Sequence, residues 1–243
     1  FKLGWQYKSL KMDYEETFGG SVGLKLMSTP NLQSIYINSL YRPVPLFSLS
    51  LGFRLSKYGA YKETLFDPRF AVKYNPIPDL AIKLSWGKYS QFLYTTNKED
   101  ELLRIVDFWQ PIPEGEKPQQ AKHFILGTEY WISNGNTISI ETYYKKYLHL
   151  YDLNPLHDHS DMQNTIVVSG IGDAYGVEFL YRLDINKVSG WIGYAFSDIV
   201  REVDFNSDNE IWRDKEIYTA KYNKPHSFIS VINYSFNRHG KEY

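Results

Sequence analysis

Hydrophobic and polar residues alternate along most of this chain. The cleanest run is 47–56, where Phe47, Leu49, Leu51, Phe53 and Leu55 fall on one face and Ser48, Ser50, Gly52, Arg54 and Ser56 on the other. A period of two sustained this long, with no polar residue on the apolar face, predicts a strand about as long as a tilted membrane crossing.

The same pattern recurs to the end of the chain and predicts about ten strands. They are placed at 1–8, 33–41, 47–56, 69–74, 80–87, 121–132, 137–148, 174–183, 189–198 and 226–236. The alternation in 33–41 is blurred, so its facing stays open, and Arg42-Pro43-Val44-Pro45 is expected to close it because proline cannot donate to a ladder. Asn75-Pro76-Ile77-Pro78-Asp79, Ser133-Asn134-Gly135-Asn136 and Asp184-Ile185-Asn186-Lys187 are predicted tight turns, the second carrying the Asn-Gly hairpin signal. Asn237-Arg238-His239-Gly240 begins another. Odd-numbered strands are followed by longer connections, with loops near 90–119, 150–171 and 198–224, and even-numbered ones by short turns. Sorting of this kind is the habit of an outer-membrane β-barrel, whose short turns lie in the periplasm and whose long loops face outside. A soluble sandwich would use shorter strands and would not sort its loops by parity.

Composition sharpens the picture in three ways. Tyr (21), Phe (14) and Trp (6) make up 17% of the 243 residues, and Tyr and Trp suit a membrane–water boundary. Mean hydropathy is below zero and no stretch approaches the roughly 18 apolar residues of a helical span, yet a barrel strand averages a lipid face with a wet one. A net charge of −1 gives no argument for a nucleic-acid partner, and the absence of cysteine excludes disulfides and thiolate metal sites. The chain opens on Phe1 within a strand, which leads to the expectation of an internal fragment of something larger.

Four phrases, in order, resemble the barrel of TonB-dependent outer-membrane receptors of the type that carries a carboxypeptidase-regulatory-like N-terminal module. They are Asp67-Pro68-Arg69-Phe70 with Tyr74-Asn75-Pro76 and 80–89, Lys117-Pro118-Gln119-Gln120-Ala121 with Leu126-Gly127, Ala174-Tyr175-Gly176-Val177-Glu178, and Tyr222-Asn223-Lys224-Pro225-His226. Asn223 stands where that family's pattern has an acid. The resemblance implies an all-β fold, a transmembrane antiparallel up-and-down barrel of about 22 strands filled by a plug, of which about ten strands are present here. Residues 1–243 would be one partial barrel domain, with plug and C-terminal strands not included. It further implies an outer-membrane location in a Gram-negative cell and energy supplied through the TonB complex. The imported ligand would be a scarce extracellular one: a siderophore, cobalamin, a glycan or a peptide.

No signature of nucleophilic, phosphate-binding or zinc-dependent catalysis is present: Gly-x-Ser-x-Gly, a P-loop and His-Glu-x-x-His are all missing. The chain is therefore read as a receptor segment rather than an enzyme, with no cofactor. His157-Asp158-His159-Ser160-Asp161 is the densest metal-capable cluster, but two imidazoles two residues apart fix no third ligand, so a solvated loop is the simpler reading. Phe108, Trp109 and Trp212 place aromatics in loops, where they either stack on a flat ligand or pack the loops together. Phe108, Trp109, His157, Asp158, His159 and Trp212 are thus the ligand-binding candidates, all on loops. Glu129, Glu141, Glu178, Lys83, Lys145, Arg54 and Arg182 fall at lumen-phase positions, where charge is tolerated. Two rivals remain: a self-contained ten-stranded barrel, porin-like or an enzyme using Asp158, Asp161 and Glu210, and a soluble all-β binding protein.

Overall fold

The computed structural model describes residues 1–18, 21–95, 109–112, 114–133, 135–153, 167–204, 215–220, 223–238 and 241–242. Its strands, in chain order, are β1 (Lys2–Ser9), β2 (Met12–Phe18), β3 (Ser21–Ser28), β4 (Asn31–Val44), β5 (Phe47–Tyr58), β6 (Thr64–Ile77) and β7 (Leu80–Gln91). Next come β8 (Leu93–Thr95), β9 (Trp109–Pro111), β10 (Gln119–Ser133), β11 (Asn136–Leu153), β12 (Val167–Ile185) and β13 (Val188–Asp204). The last are β14 (Lys215–Thr219), β15 (His226–Tyr234), β16 (Asn237–Arg238) and β17 (Lys241–Glu242). No helix occurs among the described residues.

One antiparallel sheet takes the order β1-β4-β5-β6-β7-β10-β11-β12-β13-β14, with β15 also on β13. β14 covers Val200–Asp204 of β13 and β15 covers Val188–Phe196. The two pieces are therefore one interrupted strand, and the sheet has ten strand positions. The sheet is a meander: each strand pairs with its sequence neighbour once three small hairpins are set aside. Those hairpins, β2–β3, β8–β9 and β16–β17, sit in connections between or after the long strands. The connections after β1, β5, β7, β11 and β13 are the long ones, as the alternation predicts.

Register assigns every strand two faces. Leu51 of β5, Phe70 of β6, Trp86 of β7, Phe124 of β10, Tyr144 of β11 and Tyr175 of β12 are successive cross-strand partners and so share one face. On β5 that face leaves Leu51, Phe53 and Leu55 exposed at 37%, 43% and 49%. A water-facing sheet would not hold such a surface, and lipid is the solvent that fits it. Nearer the short turns, Tyr74, Tyr130 and Tyr181 form a second aromatic level on the same face, through the partners Ile82, Leu80 and Ile138. Aliphatic residues such as Leu84, Leu126, Ile140 and Val177 lie between the two levels. This is an apolar band between aromatic girdles.

Strand β4, blurred in sequence, resolves by its pairing with β5. Ile35, Ile37 and Tyr41 lie on the apolar face, while Ser34, Tyr36 and Asn38 lie opposite. The blurring comes from Ser39 on the apolar face and Leu40 on the polar one. The expected closing segment Arg42-Pro43-Val44-Pro45 does end this strand, but later than the expected end at Tyr41: β4 runs on to Val44, with a register shift between Tyr41 and Val44, and the turn begins at Pro45. The same shift occurs between Tyr74 and Ile77 in β6. Both sites read Tyr-x-Pro-(Val/Ile)-Pro-x-(Phe/Leu), at 41–47 and 74–80. The extra residue forms a bulge at the proline, which needs no ladder bond, and a two-residue turn follows.

The short-turn rim is further tied by backbone bonds from one hairpin to the next. Asn75 N–H donates to Leu46 O (2.7 Å), Trp131 N–H to Asp79 O (2.9 Å) and Ser235 N–H to Lys187 O (2.8 Å). At the other rim, β11, β12 and β13 have 18, 19 and 17 residues. About 9–11 residues cross a bilayer, so their outer portions stand beyond it.

The two faces generate a direct test on adjacent residues. Leu126→Lys, on the apolar face, should destabilise the folded full-length protein in lipid vesicles by about 2–4 kcal/mol, whereas Ile125→Lys, on the polar face, should cost much less. Urea unfolding in vesicles measures both.

Candidate functional site

Every charged lumen-phase residue predicted from the pattern lies on the polar face. Lys83 and Glu129 form an ion pair across β7 and β10, with Lys83 Nζ donating to Glu129 Oε2. Glu141 of β11 stands directly opposite Glu178 of β12, and opposite Gly127 on its other side. These residues, with Arg182, Ser139, Trp191 and Ile229, line a recess of about 390 Å³ in the wall. Trp191 therefore belongs to the polar face, as does Trp131, whose ring receives Lys73 Nζ at 5.9 Å. Trp5 and Trp86 are on the apolar face, exposed at 65% and 40%.

Further along the wall, Arg54 organises a polar cluster across β1, β4 and β5. Its Nη2 donates to Gln6 Oε1 (2.9 Å) and Ser34 Oγ (2.9 Å), and its Nε to Ser56 Oγ (3.2 Å). Ser34 and Ser56, both buried, share a hydrogen bond of 3.0 Å. Arg69 lies over the Tyr89 ring at 4.5 Å, and that ring packs on His123 at 4.7 Å. Large rings on this face use glycines as seats. Tyr36 lies over Gly4 and Tyr143 over Gly176, each pair being direct cross-strand partners. A Cβ on Gly176 would come within 2.5 Å of Phe196 O and 2.8 Å of the Tyr143 ring.

The largest buried cluster caps the long-loop end. Leu32, Tyr58, Leu65, Phe92, Tyr94, Ile112 and Tyr151 pack together there. Tyr58 and Phe92 meet at 5.2 Å between ring centroids, and Tyr94 and Tyr151 at 5.4 Å. Polar bonds fix the connection to its support: Tyr58 Oη donates to Ile112 O (2.9 Å), Ile112 N–H to Phe92 O (3.1 Å) and Gly115 N–H to Ala60 O (2.8 Å). Tyr151 Oη donates to Lys117 O (2.7 Å). Burial, and for Tyr151 also the charge of Glu116, pushes the phenols of Tyr94 and Tyr151 above the ordinary tyrosine range. The cap holds the β8–β9 hairpin on which Trp109 is presented, opposite Thr95 and 55% exposed.

Of the six sequence-predicted ligand residues, Trp109 is the one among the described residues. Phe108, His157, Asp158, His159 and Trp212 lie outside them, as do Asp161 and Glu210. The described residues bring no group of three metal-capable side chains together. Sequence reading missed the cap, because its members come from six separate segments with no shared period. Pro111-Ile112-Pro113, an apolar residue between prolines in a polar connection, was the one local sign of it.

The family model described as "TonB dependent receptor-like, beta-barrel" matches residues 2–238. No curated protein matches the sequence. Among solved structures, the chain is similar to one in the FpvAI–pyocin S2 complex, with a TM-score of 0.62, 11% identity, and coverage of 90% of this chain and 28% of that one. It is also similar to the FrpB iron transporter from Neisseria meningitidis, with a TM-score of 0.52, 12% identity, and coverage of 75% and 32%. At these identities the likeness is one of fold. The chain spans less than a third of either structure.

Two outcomes follow from this geometry. Gly176→Val should lower stability by about 1–3 kcal/mol through overpacking against Tyr143 and the Phe196 carbonyl, measured by chemical unfolding in vesicles. The Tyr151 phenol keeps its proton more tightly in the folded protein than in the unfolded chain. The cap is therefore intact below a pH of about 10 and loosens as pH rises above it. A tyrosinate absorbance titration of Tyr151→Phe should lack one group that ionises later than the bulk.

Proposed function

Because the chain belongs to the TonB-dependent receptor-like β-barrel family, we propose that it forms one section of the wall of an outer-membrane receptor that captures a scarce extracellular ligand and imports it with energy delivered through TonB. Members of this family are transporters, and the work assigned to this section is binding and gating without covalent chemistry. Residues 1–243 are taken as part of a single barrel domain in a Gram-negative outer membrane. The observation that carries the reading is the pairing of a continuous apolar outer face with a charged, recessed inner face in one antiparallel meander.

The rivals fit less well. A soluble all-β protein would bury the row Leu51, Phe70, Trp86, Phe124 and Tyr144, which lies exposed at 36% or more. In a self-contained ten-strand barrel β1 would pair with β14–β15, and among the described residues β1 pairs with β4 alone. In the intact receptor the long-loop end meets the ligand, with Trp109 on its capped hairpin offering a flat aromatic surface. Phe108, His157, Asp158, His159 and Trp212 are proposed as further contacts from the neighbouring connections. A siderophore, cobalamin, a glycan and a peptide are the ligand classes that such receptors take.

Cell fractionation and cross-linking test the proposal together. The full-length protein should appear in the outer-membrane fraction, require detergent for release, and cross-link to TonB in energised cells. Recovery in the soluble fraction, or no TonB adduct under any growth condition, would contradict it.

A further inference from the structure

Strands β6 and β7 part at the long-loop end of the wall. Their pairing runs from Ile77–Leu80 up to Arg69–Gly87 and stops there, although both strands continue. Beyond that point 64–68 stays paired with β5 and 88–91 with β10, and neither segment pairs with the other. The wall is therefore forked. Pro68 stands at the first step of the fork, and a proline has no N–H with which to carry a ladder onward.

Side chains bridge the fork. Asp67 is 2% exposed and accepts a hydrogen bond from Ser90 Oγ at 2.8 Å. By phase Asp67 belongs to the polar face with Arg69, and Ser90 to the apolar face with Trp86. In an unbroken ladder the two would point to opposite sides of the sheet and would not meet. Asp67 thus turns in between the strands. Arg54, its direct partner on β5, sends its donors to Gln6, Ser34 and Ser56 instead. One hydroxyl–carboxylate bond stands where the lower part of the same seam has a backbone ladder.

The β8–β9 hairpin straddles this fork. β8 follows β7 after Phe92, so the hairpin springs from the β7 side. It is packed on the other side. Tyr58 of β5 donates to Ile112 O, Gly115 N–H donates to Ala60 O, and Leu32 of β4 and Leu65 of β6 join the same buried cluster. Movement of the hairpin and widening of the fork are thereby tied together.

We propose that the fork is a joint in the barrel wall, latched by Asp67 and Ser90, whose opening is coupled to the position of the β8–β9 hairpin and hence of Trp109. A ligand engaging the hairpin then biases the joint, and release of the latch biases the hairpin, because coupling between two sites is reciprocal. The inference rests on the receptor reading above and deepens it, by giving the ligand-facing end a two-state element within the wall itself.

The test uses the full-length protein in lipid vesicles, with nitroxide labels on introduced cysteine pairs, since the chain has no cysteine of its own. Phe66→Cys with Lys88→Cys spans the fork, and Val72→Cys with Leu84→Cys, direct partners below it, serves as the reference. Dipolar broadening between the labels reads each separation. Ser90→Ala should weaken the broadening across the fork and leave the reference pair unchanged, whereas Ser90→Thr, which keeps the hydroxyl, should match the wild type. Tyr58→Phe, which removes a bond holding the hairpin without touching Asp67 or Ser90, should also weaken it. In Ser90→Ala the Gly115 amide, bonded across the fork to Ala60, should exchange about tenfold faster, the scale of one lost hydrogen bond to a charged group. Unchanged broadening across the fork in a folded Ser90→Ala protein, equal loss at the reference pair, or a fork indifferent to Tyr58→Phe would overturn the proposal. Failure of the wild type to insert into vesicles would overturn both this inference and the receptor reading, whereas insertion with an unresponsive fork would overturn this inference alone.

Discussion

Inside a bilayer an unpaired backbone amide or carbonyl has no water to turn to, and this requirement governs everything else in the structure. A sheet meets it when each strand is paired along its length, and here registers of eight to sixteen residue pairs join nearly all neighbours. Uninterrupted pairing in turn holds the side-chain period at two. That period is what separates a lipid face from a polar one with single-residue sharpness.

Deviations from the ladder are confined to places where water or protein meets the freed groups. The proline bulges at 42–43 and 75–76 sit beside the short turns, and hairpin-to-hairpin backbone bonds close that rim. At the opposite end, β11 shifts register at His149, whose φ is +56°. The break between β14 and β15 falls at the same end, where Ala220 N–H donates to Ile199 O and Ser197 N–H to Pro225 O. The middle of the wall is regular because lipid permits nothing else. The extremities are irregular because they are wet, and it is there that the aromatic cap builds the nearest thing this sheet has to a conventional core.

Much of the wall was legible in sequence. Phe47, Leu49, Leu51, Phe53 and Leu55 announced their common face, and the parity of the connections gave the meander before any coordinate did. Charged residues such as Arg54, Lys83, Glu129 and Glu178 could be assigned to the lumen by phase alone. Strand ends were harder, since proline in a bulge and proline in a turn look alike along the chain. The β8–β9 hairpin was read as part of a long loop, because its strands are three residues each and owe their order to Tyr58 and Ile112 rather than to any local pattern. Ligand contacts were the least legible, because loop aromatics such as Trp109 acquire meaning only from what holds them.

The central claim is that one face of this sheet is solvated by lipid and the other by the interior of a barrel. The chain contains no cysteine, so single cysteines can be placed without interference. Substituting each position from Phe47 to Ser56 in turn, in the full-length protein in native membranes, and measuring labelling by a membrane-impermeant maleimide tests the claim most directly. Labelling that alternates residue by residue, low at Leu49, Leu51 and Phe53 and high at Ser48, Ser50 and Gly52, is the predicted result. Uniform labelling along the strand, or protection of the serine face instead, would contradict it.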